Sequence, residues 1–199
     1  MGYEWQDHYF KKAKKENYAA RSAFKLEEID QKVNLLNSGD RILDLGAAPG
    51  SWSQYASKKI GPSGKIVGID LQDVNITLPN ALFVKGDILE MGNDLENGAL
   101  KDIVPAQTVL SDMAPKTTGI KLTDQLRSLA LCEMALWIAK NTLAPGGNFV
   151  CKIFSSGDTM AFQKDLRNSF EKVKIVRPKS TRKESKEVFF VAQGFKANH

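Results

Sequence analysis

A lysine in the middle of an apolar run is the first residue to account for. Lys152 lies inside Phe149-Val150-Cys151-Lys152-Ile153-Phe154, whose other members suit a strand covered on both faces. An ammonium there is costly unless it is paired or functional. The apolar run before it ends in Ser111-Asp112-Met113-Ala114-Pro115, and Asp112 is the carboxylate best placed to partner Lys152. A structural ion pair would account for both residues. Against that, both would lie on the cofactor edge of the sheet, where open α/β sheets bind ligands.

A second constellation sits at earlier strand ends. Asp44-Leu45-Gly46-Ala47-Ala48-Pro49-Gly50-Ser51-Trp52 reads as a strand running into a tight turn and a helix. Gly46 and Gly50 permit positive φ and close backbone approach, and two small alanines between them leave room for a ligand. Asp70 ends the next strand and can accept both hydroxyls of a ribose. Gly86-Asp87 follows the third, placed to receive a hydrogen bond from an adenine amino group. Each acidic residue alone could be a helix cap. At three successive strand ends they describe an adenosine pocket better. The dinucleotide pattern GxGxxG is missing, because Ala48 stands at its second glycine, and so is GxxxxGK[ST]. Adenosine without phosphate points to S-adenosylmethionine.

The elements that must hold these residues alternate. Strands are predicted at 41–46, 65–70, 81–84, 108–112 and 148–154, with helices over about 18–35, 52–60, 122–143 and 159–169. Ala144-Pro145-Gly146-Gly147 should break the chain after the long helix. Two last strands, near 171–176 and 186–193, are joined by a loop too short for a helical crossover and should pair antiparallel. The expectation is a doubly wound α/β fold: a mostly parallel seven-stranded sheet, Rossmann-like, with an antiparallel last strand.

The 199 residues suit one domain, read as a basic arm over 1–16 and a single domain over 17–199. Hydrophobic residues make up 42% and charged residues 26%, ordinary for a globular chain and wrong for a disordered one. No apolar run is long enough to span a membrane, and Met1-Gly2-Tyr3-Glu4-Trp5-Gln6 lacks the core of a signal peptide, so a cytoplasmic protein is expected. Cys132 and Cys151 read as small core residues, and with His8 and His199 they are too scattered for zinc, so no metal is expected. The net charge of +5 is concentrated at the ends: residues 1–25 carry six basic and three acidic side chains, residues 172–199 eight and two. A slightly acidic body with basic ends suits a protein that meets a polyanion. Solvated, lysine-rich termini would look the same.

Several stretches together resemble the FtsJ-like (RrmJ-type) ribosomal RNA 2′-O-methyltransferases: Arg21-Ser22-Ala23-Phe24-Lys25-Leu26, Asp44 to Gly50, Trp52-Ser53-Gln54, Ser111 to Pro115, Leu143 to Gly147, and Ser185-Lys186-Glu187-Val188. The resemblance runs from about residue 16 to the end in unbroken order. It implies a catalytic Lys-Asp-Lys-Glu tetrad at Lys25, Asp112, Lys152 and Glu187. It also implies S-adenosylmethionine contacts at Gly50, Trp52, Asp70, Asp87 and Asp112, with Gly46 added by the turn itself. The family usually carries a second glycine where this chain has Ser51. By that likeness the chain methylates a ribose 2′-oxygen, a uridine of large-subunit ribosomal RNA being favoured, and releases S-adenosylhomocysteine; a monomer is expected. Lys152 would contact the 2′-oxygen, either as a general base or as an ammonium that stabilises developing alkoxide. Lys11, Lys12, Lys14, Lys15 and Arg21 on one side, and Arg177, Lys179, Arg182, Lys183 and Lys186 on the other, would follow RNA phosphates. Tyr9 or Phe10 could stack on a base or anchor the arm. The alternatives are a transfer-RNA 2′-O-methyltransferase, a non-catalytic ribosome-assembly factor on the same scaffold, and a nicotinamide-dependent dehydrogenase, which the missing GxGxxG counts against.

Overall fold

The computed structural model describes residues 2–91, 98–155 and 159–197; His199 lies outside them. Seven strands form one sheet: β1 (Arg41–Leu45), β2 (Lys65–Asp70), β3 (Ala81–Lys85), β4 (Ala106–Ser111), β5 (Leu143–Phe154), β6 (Phe170–Val176) and β7 (Glu187–Phe195). Their order is β3-β2-β1-β4-β5-β7-β6. The first five run parallel, and β7 is antiparallel to both neighbours. The chain turns from one flank of the sheet to the other between β1 and β4, which places a ligand crevice at their carboxyl ends.

Side-chain alternation sorts the strands onto two layers. Leu43, Leu45, Val109, Phe149, Cys151 and Ile153 face α5 (Lys121–Thr142) and α6 (Met160–Ser169), packing with Cys132, Leu136 and Phe162. Ile42, Leu110, Val150, Phe189 and Val191 face α2 (Ala23–Val33) and α3 (Ser51–Ile60), packing with Leu26, Ile29, Trp52 and Tyr55. Both cysteines are buried, and Cys132 Sγ donates to the Lys152 carbonyl at 3.0 Å.

Two stretches differ from the sequence expectation. Residues 1–16 read in the sequence as a mobile or partner-ordered basic arm, and within them Gly2–Lys15 form helix α1. Its basic composition conceals a narrow apolar stripe: Ala13 is buried and the Tyr9 ring packs on Phe24 at 5.6 Å. The long helix ends at Thr142, as expected of the breaker Ala144-Pro145-Gly146-Gly147, but β5 begins at Leu143 rather than at 148, with Gly146 at φ +79° and a register shift between Ala106 and Thr108 on β4. The short helix α4 (Ile88–Met91) and a 3₁₀ turn at Gly98–Leu100 were not foreseen. Among the described residues no helix is long and apolar enough to cross a membrane.

Candidate active site

The glycine turn after β1 leaves no space for side chains. Gly46 has φ +75°, and a Cβ there would lie 2.7 Å from Met113 Cγ. Gly50 has φ +104°, and a Cβ there would lie 2.3 Å from Ile76 Cδ1. Both positions therefore favour glycine on conformation, and at Gly46 the Met113 backbone nitrogen 3.0 Å from that Cβ closes the space as well. The Ala48 amide donates to Asp70 Oδ2 at 2.9 Å and the Gln72 amide to Oδ1 at 2.8 Å, so the tip of β2 holds the turn in place. The Gly86 amide donates to the Asp70 carbonyl at 2.9 Å, bringing Gly86-Asp87 alongside.

Trp52 enters this region through its backbone. Its indole is buried against Phe189, ring centroids 5.7 Å apart, and Nε1 donates to the Ser22 carbonyl at 2.9 Å. As the second residue of α3, it offers the strand ends an amide without an intrahelical acceptor. Ser51 begins the same helix. Its hydroxyl shares a 2.7 Å hydrogen bond with that of Ser22, so the serine is accommodated and fastens the turn to the segment before α2.

Lys25, Asp112, Lys152 and Glu187 gather on the α2–α3 face. Asp112 and Lys152 continue the side-chain alternation of Leu110 and Val150, and Phe189, opposite Lys152, lies two residues from Glu187. Lys152 Nζ donates to Asp112 Oδ1 at 2.8 Å and to the Asp112 carbonyl. Lys25, from α2, forms an ion pair with Glu187 and lies 5.9 Å over the Phe189 ring. Two mostly buried lysine–carboxylate pairs thus flank one phenylalanine. Asp124, not singled out in the sequence, holds the loop after Asp112: it accepts from the Thr118 amide at 2.7 Å and the Gly119 amide at 3.2 Å. Those bonds hold its carboxyl below its ordinary value.

Beside Lys25 and Glu187 opens a cavity of about 410 Å³, lined also by Arg21, Arg182, Glu184 and Ser185. Burial, and next the charge of Arg182, lower the Arg21 guanidinium from its usual value. The neighbouring loop is held from inside. Arg177 Nη2 donates to the carbonyls of Lys183 and Ser185 at 3.2 and 2.6 Å, and Glu28 accepts from the amides of Lys179 and Ser180. Arg177, read in the sequence as a phosphate contact, therefore directs part of its charge into the loop's own backbone. On α1, Lys12 lies 3.9 Å from Glu27 and 4.3 Å from the Phe24 ring centroid, while Lys14 lies over Phe10.

The FtsJ-like methyltransferase model matches residues 18–195. The chain belongs to the FtsJ-like methyltransferase family. Among its relatives, "Ribosomal RNA large subunit methyltransferase E" of Bdellovibrio bacteriovorus is 52% identical over 96% of this chain and 97% of its own. The enzyme of that name from Oleidesulfovibrio alaskensis is 50% identical over 97% and 93%. Among solved structures, a ribosomal RNA methyltransferase of Plasmodium falciparum superposes with a TM-score of 0.75 at 29% identity, covering 89% of this chain and 98% of its own. Aeropyrum pernix fibrillarin, solved with bound S-adenosyl-L-methionine, shares the fold at a TM-score of 0.52 and 17% identity, over 79% of this chain and 68% of its own. Family and fold make this FtsJ-like chain a methyltransferase of the doubly wound α/β class.

Proposed function

We propose that this chain methylates a ribose 2′-oxygen of large-subunit ribosomal RNA, a uridine, using S-adenosylmethionine. The observation that carries the reading is the pairing of Lys152 with Asp112 and of Lys25 with Glu187 on one sheet face, next to a glycine turn with no room for side chains. The family and the names of its relatives supply the RNA class.

The residues present fit the cofactor. Gly46 and Gly50 would let it approach the turn, Asp70 would hold its ribose, Asp87 its adenine, and Asp112 and the Trp52 amide would complete the seat. When bound, S-adenosylmethionine supplies an electrophilic methyl group on a sulfonium and is left as S-adenosylhomocysteine. On the acceptor side, Lys152 contacts the 2′-oxygen. Its Nζ already donates to two oxygens of Asp112, leaving one position for the acceptor. That position is either the lone pair of a neutral amine, which takes the 2′-hydroxyl proton as the O–CH3 bond forms, or an N–H that orients the hydroxyl and stabilises developing alkoxide while the proton passes to solvent. Lys25 and Glu187 border the cavity that receives the nucleotide. The domain over 17–199 carries the chemistry. The basic arm over 1–16, as helix α1, follows RNA phosphates together with Arg21, Lys179, Arg182 and Lys183.

The test incubates the protein and labelled S-adenosylmethionine with large ribosomal subunits, naked ribosomal RNA and transfer RNA from cells lacking this protein. The expected result is label on a ribose 2′-oxygen in the large subunit. Label on transfer RNA alone would move the substrate and keep the chemistry. Label on a base would overturn the 2′-oxygen assignment.

A further inference from the structure

Asp44 is a buried carboxylate that the reaction as derived does not use. It lies in β1, two residues before Gly46, and is wholly inaccessible to solvent. Its Oδ2 accepts from the Ser53 hydroxyl at 2.6 Å, while Oδ1 has no hydrogen-bond partner. Burial, joined by the charges of Asp112 and Asp70 and opposed by the Ser53 hydrogen bonds, pushes its carboxyl up to about 7.

Ser53 on α3 bonds Asp44, and Asp44 pairs in register with Gly68 on β2 and Leu110 on β4, each two residues before a carboxylate whose charge acts on it, Asp70 and Asp112. No cation is among them. Lys152 is engaged by Asp112, and Asp70 is held by two backbone amides. A buried carboxylate with one hydroxyl partner and two anionic neighbours lacks a positive charge. Among the described residues no group of three or more metal-ligating side chains is arranged to hold a metal ion. The deficit lies at the strand ends where the glycine turn, Asp70 and Asp112 converge.

We propose that Asp44 is the charge-selecting element of the cofactor seat, favouring the sulfonium cosubstrate over its uncharged thioether product. This rests on the S-adenosylmethionine reading above. Attraction acts through space across the buried strand end, so Asp44 needs no direct contact with the ligand. Ionised Asp44 draws the cation in; once the methyl group has left, the thioether no longer offsets the buried charge. Cosubstrate affinity therefore rises with pH as Asp44 loses its proton, and product affinity does not follow.

The test measures the affinity of S-adenosylmethionine and of S-adenosylhomocysteine between pH 6 and 8.5, for the unaltered protein and for Asp44→Asn. The amide keeps an acceptor for Ser53 and cannot ionise. Each ligand's own amino group also titrates here, identically with both proteins, so the ratio between the proteins is the readout. For the cosubstrate that ratio should rise about tenfold across the range, the effect of a one-unit linkage between charge and protonation; for the product it should stay flat. Ratios that move together, or not at all, would overturn the proposal. A second variant, Ser53→Ala, removes a hydrogen bond to the ionised form and should move the cosubstrate's pH midpoint upward; an unmoved midpoint counts against the proposal too. If the unaltered protein binds neither ligand, the cofactor reading falls and this falls with it. If both bind without a pH-dependent preference, only the charge selection falls.

Discussion

The two halves of the site are built from different materials. The proposed cofactor half, at the tips of β1 to β3, is shaped by backbone: two glycines at positive φ, amides fixed by Asp70, and the first turn of α3. The proposed acceptor half, at β4, β5, β7 and α2, is made of long charged side chains paired across elements. A backbone seat is lost by adding atoms, and a side-chain site is lost by removing them. Substitutions in the two halves should therefore separate binding from turnover.

Lys152→Ala breaks the comparison hardest. Methyl transfer should fall about 10²–10⁴-fold, with cofactor affinity by calorimetry kept within a few-fold; a retained rate would remove Lys152 from the reaction. Asp44→Asn should act on stability with a definite sign. Its folded carboxyl titrates near 7, above the usual unfolded value of about 3.9. The native state therefore keeps a proton that the unfolded chain has released, and native stability falls as pH rises from about 4 to 7. The variant escapes this, so by denaturant titration its gain should be absent at pH 4 and reach on the order of 2–4 kcal/mol at pH 8. A gain equal at both pH values would refute the assignment. Gly50→Ala attacks the backbone half: strain of about 1–2 kcal/mol at positive φ, with displacement of Ile76, should weaken cofactor binding at least about tenfold. The rate at saturating cofactor should change less. Replacing Lys11, Lys12, Lys14 and Lys15 by Gln should have the smallest effect, lowering the salt slope of RNA binding by less than about 0.7 per lysine. Lys12 is already committed to Glu27 and Phe24. An unchanged slope would place α1 outside the interface.

What was legible in the sequence was local. The Asp44–Trp52 turn, the strand ends at Asp70 and Asp112, and the misplaced lysine at 152 each announce themselves within a few residues, and the strand–helix alternation gave the sheet. Less legible was what depends on neighbours distant in sequence. Asp44 was read only as part of a motif, although the argument used for Lys152, a charge inside an apolar strand, applies to it equally. Its unpaired oxygen depends on which carboxylates β2 and β4 bring near. Trp52 was expected at the ligand, yet its ring belongs to the core because Phe189 and the Ser22 carbonyl claim it. In the sequence Arg177 reads as one more surface cation, because the loop it folds around is set by contacts that local residue types do not reveal.

That loop carries one more consequence. With Arg177 gripping its carbonyls and Glu28 its amides, the segment 177–185 is already shaped before any ligand arrives. Ordering a free loop of that length on contact would cost about 1–2 kcal/mol per residue of conformational entropy. Here that cost is met during folding, so a ligand that met Arg182 and Lys183 would gain nearly the whole of that interaction.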